Sequence, residues 1–515
     1  LTNSLRITLG LSCALAGLAA AGTASATPPV AGTLFIATSA YGGRPGTITV
    51  GQALPNSTGP KVVADGAYPG VFANDTADGN FGITSPITLL AQPVLALRGG
   101  LHVGGAISSL DVTQATGIVT SFSSKSELAL HLSTDGSAIT FMGYQAPINA
   151  LDVSNSNTPD NVDPTNTDTQ TPTYRAVVQV NLAGGVTATP VDSYSGNNGR
   201  SAIYAPNANG SGVDEYLTVG NAGNGSGTEP TDIVNDTGVQ AVAPGAGPAT
   251  SVIGAQQGTP GSKTGFEYGF SVAQLGDPAD KSGKDDNFRG LTVFNNTLFV
   301  TKGSGGNGVD TVYQVTPQNG GLPLASTSAT TQISILPGFP TGLAANITES
   351  NPATEFYPFG IWFANATTLY VADEGSQDLN ADPNAGLQKW VFNGMSWTLA
   401  YVVQAGLNLD QPYSVPNYPS QYNPATTGLR HITGVVNGDT VTIFATTSTF
   451  SALGDPGADP NQVVQVTDQL SATALPGGEA FSVVKAARYR GVYRGVQFVP
   501  GSAAITLTGL AKHIR

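Results

Sequence analysis

Arg289-Gly-Leu-Thr-Val-Phe294, Leu298-Phe-Val-Thr301 and Thr311-Val-Tyr-Gln-Val315 follow one another, separated by a polar turn and a Gly/Asn/Asp loop. The same three-part phrase returns as Phe359-Gly-Ile-Trp-Phe363, Leu369-Tyr-Val-Ala372 and Gln388-Lys-Trp-Val-Phe392. Short apolar runs rich in β-branched and aromatic residues, bounded by turn formers, read as strands. Recurrence at a spacing of tens of residues reads as a repeat architecture. Working outward, the first strand of each copy falls near Tyr68, Lys125, Arg200, Arg289, Phe359, Arg430 and Arg494. Further third strands fit Ala176–Val180, Val239–Val242 and Gln462–Val466, and fourth strands fit Gln332–Leu336, Thr398–Val403 and Phe481–Lys485. Four strands per copy make the blade of a β-propeller.

The two ends carry complementary fragments. Tyr493-Arg-Gly-Val-Gln-Phe-Val-Pro500 has no strands after it, and Thr33-Leu-Phe-Ile-Ala37 with Thr47-Ile-Thr-Val50 has no first strand before it. Joined, they complete one blade and close the ring, which removes exposed strand edges. The expectation is an all-β propeller of seven blades, or of six if the Tyr68 stretch is an insertion.

The chain of 515 residues has 65 Gly and 34 Pro but only 10% charged residues, a composition suited to many short strands and turns. Its net charge of −14 argues against nucleic acid as a partner, because phosphate binding needs a basic surface. Arg6, the apolar run Ile7 to Ala21 and Ala24-Ser-Ala26 read as an export signal cleaved after Ala26. Cys13, the only cysteine, lies inside it. The expected organisation is a signal at 1–26, a single propeller at 27–502 and a tail at 503–515. Such a product would be secreted or periplasmic, monomeric and without a membrane span.

Familiar chemical motifs fail on context. Gly303-Ser-Gly305-Gly-Asn-Gly308 matches a dinucleotide string, yet it runs straight into Val309-Asp-Thr-Val-Tyr313, a strand where a helix is required. Asp378, Asn380 and Asp382 open like a calcium loop, but Pro383 and Lys389 occupy positions that need Gly and Glu. These three residues are candidate ligands for a lone surface calcium, or Asx-turns that cap their own backbone.

The chain resembles secreted bacterial β-propellers of the broad NHL and lactonase-like kind, with Leu369-Tyr-Val-Ala-Asp373 the most familiar phrase. Ser121 to Leu130 and Thr140 to Tyr144 are also similar to a feature of exported bacterial proteins. The resemblance implies an axial channel that can hold calcium through carboxylates and amides. It supplies no catalytic residue.

Overlaying the copies exposes one constellation. Lys125, Arg200, Arg289, Arg430 and Arg494 stand at the start of first strands, with Tyr68 and Tyr357 near that place in the other two. First strands are innermost in a propeller, so these side chains converge on the channel mouth. Arginine offers paired hydrogen bonds to carboxylate or phosphate. The structural use of the same residues is pairing with Glu127, Asp214, Glu215, Asp373 or Glu374. Three functions follow: binding an anionic small molecule or acidic sugar, a lactonase- or polysaccharide-lyase-type enzyme with a channel calcium and His431 or a tyrosine as base, or a loop-mediated interaction scaffold.

Overall fold

In a computed structural model of the chain, the described residues are 30–43, 68–74, 82–97, 100–166, 171–223, 233, 236–245, 252–253, 286–347, 355–376, 379, 382–453 and 457–501. The signal, Thr47–Val50 and the tail from 503 onward lie outside them.

The strands begin with β1 (Val30–Ala40), β2 (Thr84–Leu97), β3 (Gly100–Val103) and β4 (Ser108–Asp111). A five-residue helix, α1 (Val112–Thr116), leads to β5 (Val119–Ser121), β6 (His131–Leu132), β7 (Ala138–Tyr144), β8 (Arg175–Asn181) and β9 (Val186–Val191). Next come β10 (Gly199–Ala205), β11 (Glu215–Gly220), β12 (Gly238–Val242) and β13 (Val252–Ile253). The Arg289 phrase supplies β14 (Leu291–Phe294), β15 (Thr297–Lys302), β16 (Thr311–Pro317) and β17 (Thr331–Ile335). The Phe359 phrase supplies β18 (Pro358–Asn365), β19 (Thr368–Asp373), β20 (Gly386–Phe392) and β21 (Trp397–Val403). Last are β22 (Ala425–Asn437), β23 (Thr440–Phe450), β24 (Gln462–Gln469), β25 (Ser482–Ala486) and β26 (Gly491–Pro500).

The fold is an all-β propeller with four separate four-stranded antiparallel blades, β10–β13, β14–β17, β18–β21 and β22–β25, among the described residues. Seven separate blades are not what the sheets show. The other strands form one ten-stranded sheet, ordered β26-β1-β2-β5-β7-β8-β9, with β3 and β4 on β2 and β6 on β7. Its two parts meet where Thr84–Pro86 of β2 pair with Val119–Ser121 of β5. Within it β1 pairs with β26: Leu34 lies opposite Phe498 and Phe35 opposite Gln497.

Strand alternation explains how the sheets stack. Successive side chains point to opposite faces, so each strand feeds two apolar layers. On β15, Leu298 and Val300 pack with Ile203 and Leu217 of the preceding blade, whereas Phe299 packs with Ile361 and Phe363 of the following one. On β19, Leu369 and Val371 join that same second layer, while Tyr370 and Ala372 face Ile443 and Val464. Phe444 and Val463 then pack on Leu34, Ile36 and Phe498. Phe35, Leu89 and Val499 face Leu130, Phe141 and Val178, and Met142 and Val177 meet Ala202 and Tyr216.

Two expected first strands are absent. Tyr68 precedes a short 3-10 turn at Gly70–Asn74, and Lys125 lies in an irregular stretch between β5 and β6. Tyr68 instead joins Tyr41, Phe72, Phe122 and Tyr418 in a compact aromatic cluster.

Candidate functional site

Backbone segments of neighbouring sheets come unusually close to one another. A Cβ on Gly290 would stand 2.1 Å from the Phe359 carbonyl oxygen, and one on Gly495 would stand 2.1 Å from that of Leu128. Only glycine allows that approach. Side-chain hydroxyls bridge several such junctions. Thr301 Oγ1 accepts from Gly290 N at 2.9 Å and donates to Phe359 O at 2.5 Å. Thr446 Oγ1 repeats this, accepting from His431 N at 3.2 Å and donating to Arg494 O at 3.0 Å. Thr140 donates to Ala202 O at 2.6 Å, and Ser201 to Arg289 O at 3.2 Å.

Onto this frame the chain lays the stretch from Phe122 to Glu127, buried apart from a partly exposed Lys125. Phe122 packs against Tyr41, Tyr68 and Phe72, and its carbonyl accepts from Arg494 Nη2. Ser124 Oγ accepts from Asn198 Nδ2 at 2.7 Å, and Ser126 Oγ accepts from Arg289 Nη1. Lys125 Nζ reaches Glu374 Oε1 at 3.1 Å. The stretch thereby touches residues from most of the blades before turning at Leu128, whose φ of 63° is rare for a branched apolar residue. Glu127 anchors its end by accepting from Thr120 Oγ1 at 2.8 Å, Ser121 N at 3.1 Å, Asn198 Nδ2 at 3.1 Å and the Tyr144 hydroxyl.

Glu374 is the electrostatic centre. It follows β19 directly, and its N–H donates to Tyr357 O at 3.1 Å. Its carboxylate takes Lys125 on Oε1 and Arg430 Nε on Oε2 at 3.2 Å. Burial alone would raise its pKa, but the charges of Lys125, Arg430 and Arg289 outweigh that and hold it down to about 2. Lys125 moves down to about 7, chiefly by burial; Glu374 opposes the shift, and the charges of Arg289 and Arg430 add to it. Burial likewise lowers Arg289 and Arg200.

The remaining sequence candidates spread around this centre. Arg289 also bonds Ser304 Oγ from Nε at 2.9 Å and lies 5.7 Å from the Phe359 ring centroid. Arg200 Nη1 donates to Phe288 O at 2.7 Å, and its buried Nε has no hydrogen-bond partner among the described residues. Arg494 binds the carbonyls of Phe122 and Gly457. His431 stands edge-on to Phe359 at 5.0 Å, and burial, helped by the charges of His131, Arg430 and Arg494, holds its pKa well below the usual value. Tyr357 sits beside the cluster, its N–H bonded to Asp373 Oδ2 at 2.8 Å and its phenol raised by burial. Tyr68 is not gathered there; its hydroxyl donates to Ala458 O at 3.0 Å.

Asp378 and Asn380 lie outside the described residues. Asp382 Oδ1 accepts from Asn384 N at 2.8 Å and Ala385 N at 3.2 Å, the bonding of an Asx-turn. Among the described residues no three His, Cys, Asp or Glu side chains gather as a metal site. Glu374 is already shared by two cations inside a positive field. Among the described residues, the surroundings of Glu374 therefore do not fit the calcium that the family resemblance implies.

Of the carboxylates read as pairing partners, only Glu374 meets the basic group through a salt bridge among the described residues. Asp214 bonds Tyr204, and Glu215 accepts from Ala325 N. A buried arginine escaped the sequence reading. Arg175 is wholly buried and donates to the carbonyls of Ser154, Ser156, Thr173 and Asn197. It heads a third strand, so overlaying first strands could not find it.

No family model and no curated protein matches this chain. Among solved structures it is similar to the periplasmic gluconolactonase of Pseudomonas aeruginosa, with 11% identity and a TM-score of 0.34 over 90% of this chain and 99% of that one. It is also similar to a GH43 β-xylosidase/α-arabinofuranosidase from a compost metagenome, with 8% identity and a TM-score of 0.29 over 72% and 94% of the two chains. A GH74 enzyme of Niastella koreensis gives 11% identity and a TM-score of 0.32 over 85% of this chain. This chain spans about half of that enzyme, 46% of its length.

Proposed function

We propose that this protein is an exported propeller whose channel mouth binds a small anion, a carboxylate-bearing molecule or acidic sugar. One observation carries the reading: among the described residues, Lys125 and Arg430 share the Glu374 carboxylate, and the charge of Arg289 acts on it too. Buried cations in excess of their counter-charges are costly, and an incoming anion relieves that cost. Arg200 adds a buried N–H that no described residue satisfies. Export rests on the features of residues 1–26.

For the ring itself we propose six blades within a single unit spanning 27–502. Support comes from close backbone junctions that run in order through Ala202, Arg289, Phe359, Arg430, Arg494 and Leu128. The apolar layers that alternate between neighbouring sheets run in the same cyclic order.

Calorimetric titration with lactate, galacturonate and inorganic phosphate tests the anion reading. Binding should be seen for at least one of them and should fall about tenfold or more in Arg289→Ala and Arg430→Ala, the cost of losing a charge-assisted hydrogen bond. Equal heats from wild type and both variants, with melting temperatures lowered in the variants, would reduce the basic group to structural pairing.

A further inference from the structure

Between the β18–β21 and β22–β25 blades lies a second charged group, apart from the basic cluster. Lys389 on β20 stands in one cross-strand row with Tyr370 on β19 and Tyr401 on β21. Its Nζ reaches Asp468 Oδ2 on β24 at 3.0 Å, and both side chains are fully buried. The tyrosines converge on the same carboxylate. Tyr401 donates to Oδ1 at 2.5 Å, and Tyr370 donates to Oδ2. Both rings belong to the apolar layer that holds Val441, Val466 and Phe481. Glu479, from the segment between β24 and β25, bonds Asp468 side chain to side chain, and two carboxyl groups can do so only with a proton between them. Its Oε1 accepts from Gln469 N at 3.2 Å.

We propose that Lys389 and Asp468 become joined by an isopeptide bond that forms inside the folded chain, with Glu479 as the proton relay. A buried amine, a carboxyl carbon beside it and a carboxylic acid bonded to that carboxyl are the full set of reactants. One proton moved along the Nζ–Oδ2 hydrogen bond leaves a neutral amine and a neutral carboxylic acid, the uncharged state that burial favours. The nitrogen then attacks Cγ of Asp468, one C–O bond beyond an oxygen it already touches. A C–N bond forms, and the carbonyl oxygen gains negative charge against phenol hydroxyls already aimed at that carboxylate. Glu479 takes the surplus proton from the nitrogen on one oxygen and gives its own to the departing hydroxyl. The Cγ–O bond breaks, one water leaves, and Glu479 ends protonated as it began. Ammonium plus carboxylate give amide plus water, so no further reactant is needed.

Two surroundings favour the step. Glu479 lines a cavity of about 300 Å³ with Gln465, Thr467, Gly477 and Gly478, which offers the water an exit. Burial, and then the charge of Asp468, raises the Glu479 pKa to about 7, in keeping with a carboxyl group that holds a proton near neutral pH. The product ties β20 to β24 across two blades. Cys13 is the only cysteine, so no disulfide within the chain can do the same.

The full-length protein is purified, denatured, digested and mapped by mass spectrometry. The peptides carrying Lys389 and Asp468 should be recovered as one branched species, lighter than their sum by one water, and trypsin should no longer cut after Lys389. Glu479→Gln keeps the shape and the Lys389–Asp468 contact, so it should fold by circular dichroism yet yield the two peptides separately. Lys302 and Asp310 supply an internal comparison. They are also buried and 2.6 Å apart, but the described residues bond no second carboxyl group to Asp310, so this pair should stay unlinked.

Separate peptides of full mass from folded wild-type protein would overturn the proposal and leave a plain ion pair. A bond from Lys389 to Glu479 would overturn the choice of Asp468. Linkage as complete in Glu479→Gln as in wild type, or an equal linkage of Lys302 to Asp310, would overturn the relay. The wild-type map alone decides whether the bond exists, so a variant that fails to fold leaves the test intact.

Discussion

Lys125 loses most of its basicity on folding, and stability against pH should register it. Its folded value of about 7 lies below the value of about 10.4 for an unfolded lysine. Between those limits the unfolded chain binds the extra proton, so stability rises with pH across the window. Below about pH 7 both states are protonated and the full penalty applies. The expected outcome is that urea unfolding of the wild type shows a rising stability from about pH 7 to about pH 10 that Lys125→Met lacks. Parallel pH profiles for the two proteins would mean that the ammonium is solvated in the folded state. The converse holds for Glu374, whose pKa lies below the ordinary carboxylate value. Its contribution is present above about pH 4.5 and disappears only as pH falls through about 2.

At the scale of the strand, much was legible and the failures have physical causes. β14 to β17 and β18 to β21 were readable because each strand alternates between two apolar layers and is bounded by turn residues. β2 escaped because Pro86 and Pro93 lie within it, and proline argues against an internal strand. Its burial nevertheless alternates, since the ladder with β1 places Pro93 opposite Thr33 and Leu89 opposite Ala37. The Tyr68 echo misled for the opposite reason. Tyr-Pro followed by aromatic residues suits an inner strand at Tyr357 and an aromatic cluster at Tyr68 equally well, and only tertiary contacts decide. Likewise, Arg289 and Arg430 were recognisable by position in the repeat. That Lys125 joins them from the irregular stretch between β5 and β6 depends on contacts with Glu374 and Ser126–Arg289 that no spacing encodes.

Threonine hydroxyls at the strand junctions were invisible too, because threonine is common in any strand. Thr301 both accepts from its own blade and donates to the next. Thr301→Val keeps the shape and leaves the Phe359 carbonyl and the Gly290 N–H without that partner. A loss of about 1–3 kcal/mol is expected, read as a lower urea midpoint, with Thr301→Ser within about 0.5 kcal/mol of wild type. Equal midpoints for the valine and serine variants would deny the junction any energetic role.

Whether the molecule behaves as a ring or as a row of sheets depends on β1. In a row, each sheet is held only by its neighbours, and losing a terminal strand costs the terminal sheet alone. In a ring, β1 is an internal member of one blade and serves two layers at once. Leu34 and Ile36 face Phe444 and Val463, while Phe35 and Ala37 face Leu130 and Phe141. It is also hydrogen-bonded on both edges, to β2 and to β26. Starting the chain at Tyr41 would strip both layers and leave the inner edge of β2 and the outer edge of β26 without partners. Each buried large apolar side chain is worth about 1.5–3 kcal/mol. Losing Leu34, Phe35 and Ile36 together thus removes about as much as the whole margin of a typical domain. The shortened chain should give no cooperative thermal transition by circular dichroism. A synthetic peptide of residues 30–43 added in trans should restore one, with a midpoint that rises with peptide concentration. A shortened chain that keeps most of its β signal and melts within a few degrees of the full-length protein would show instead that the sheets stand in an open row.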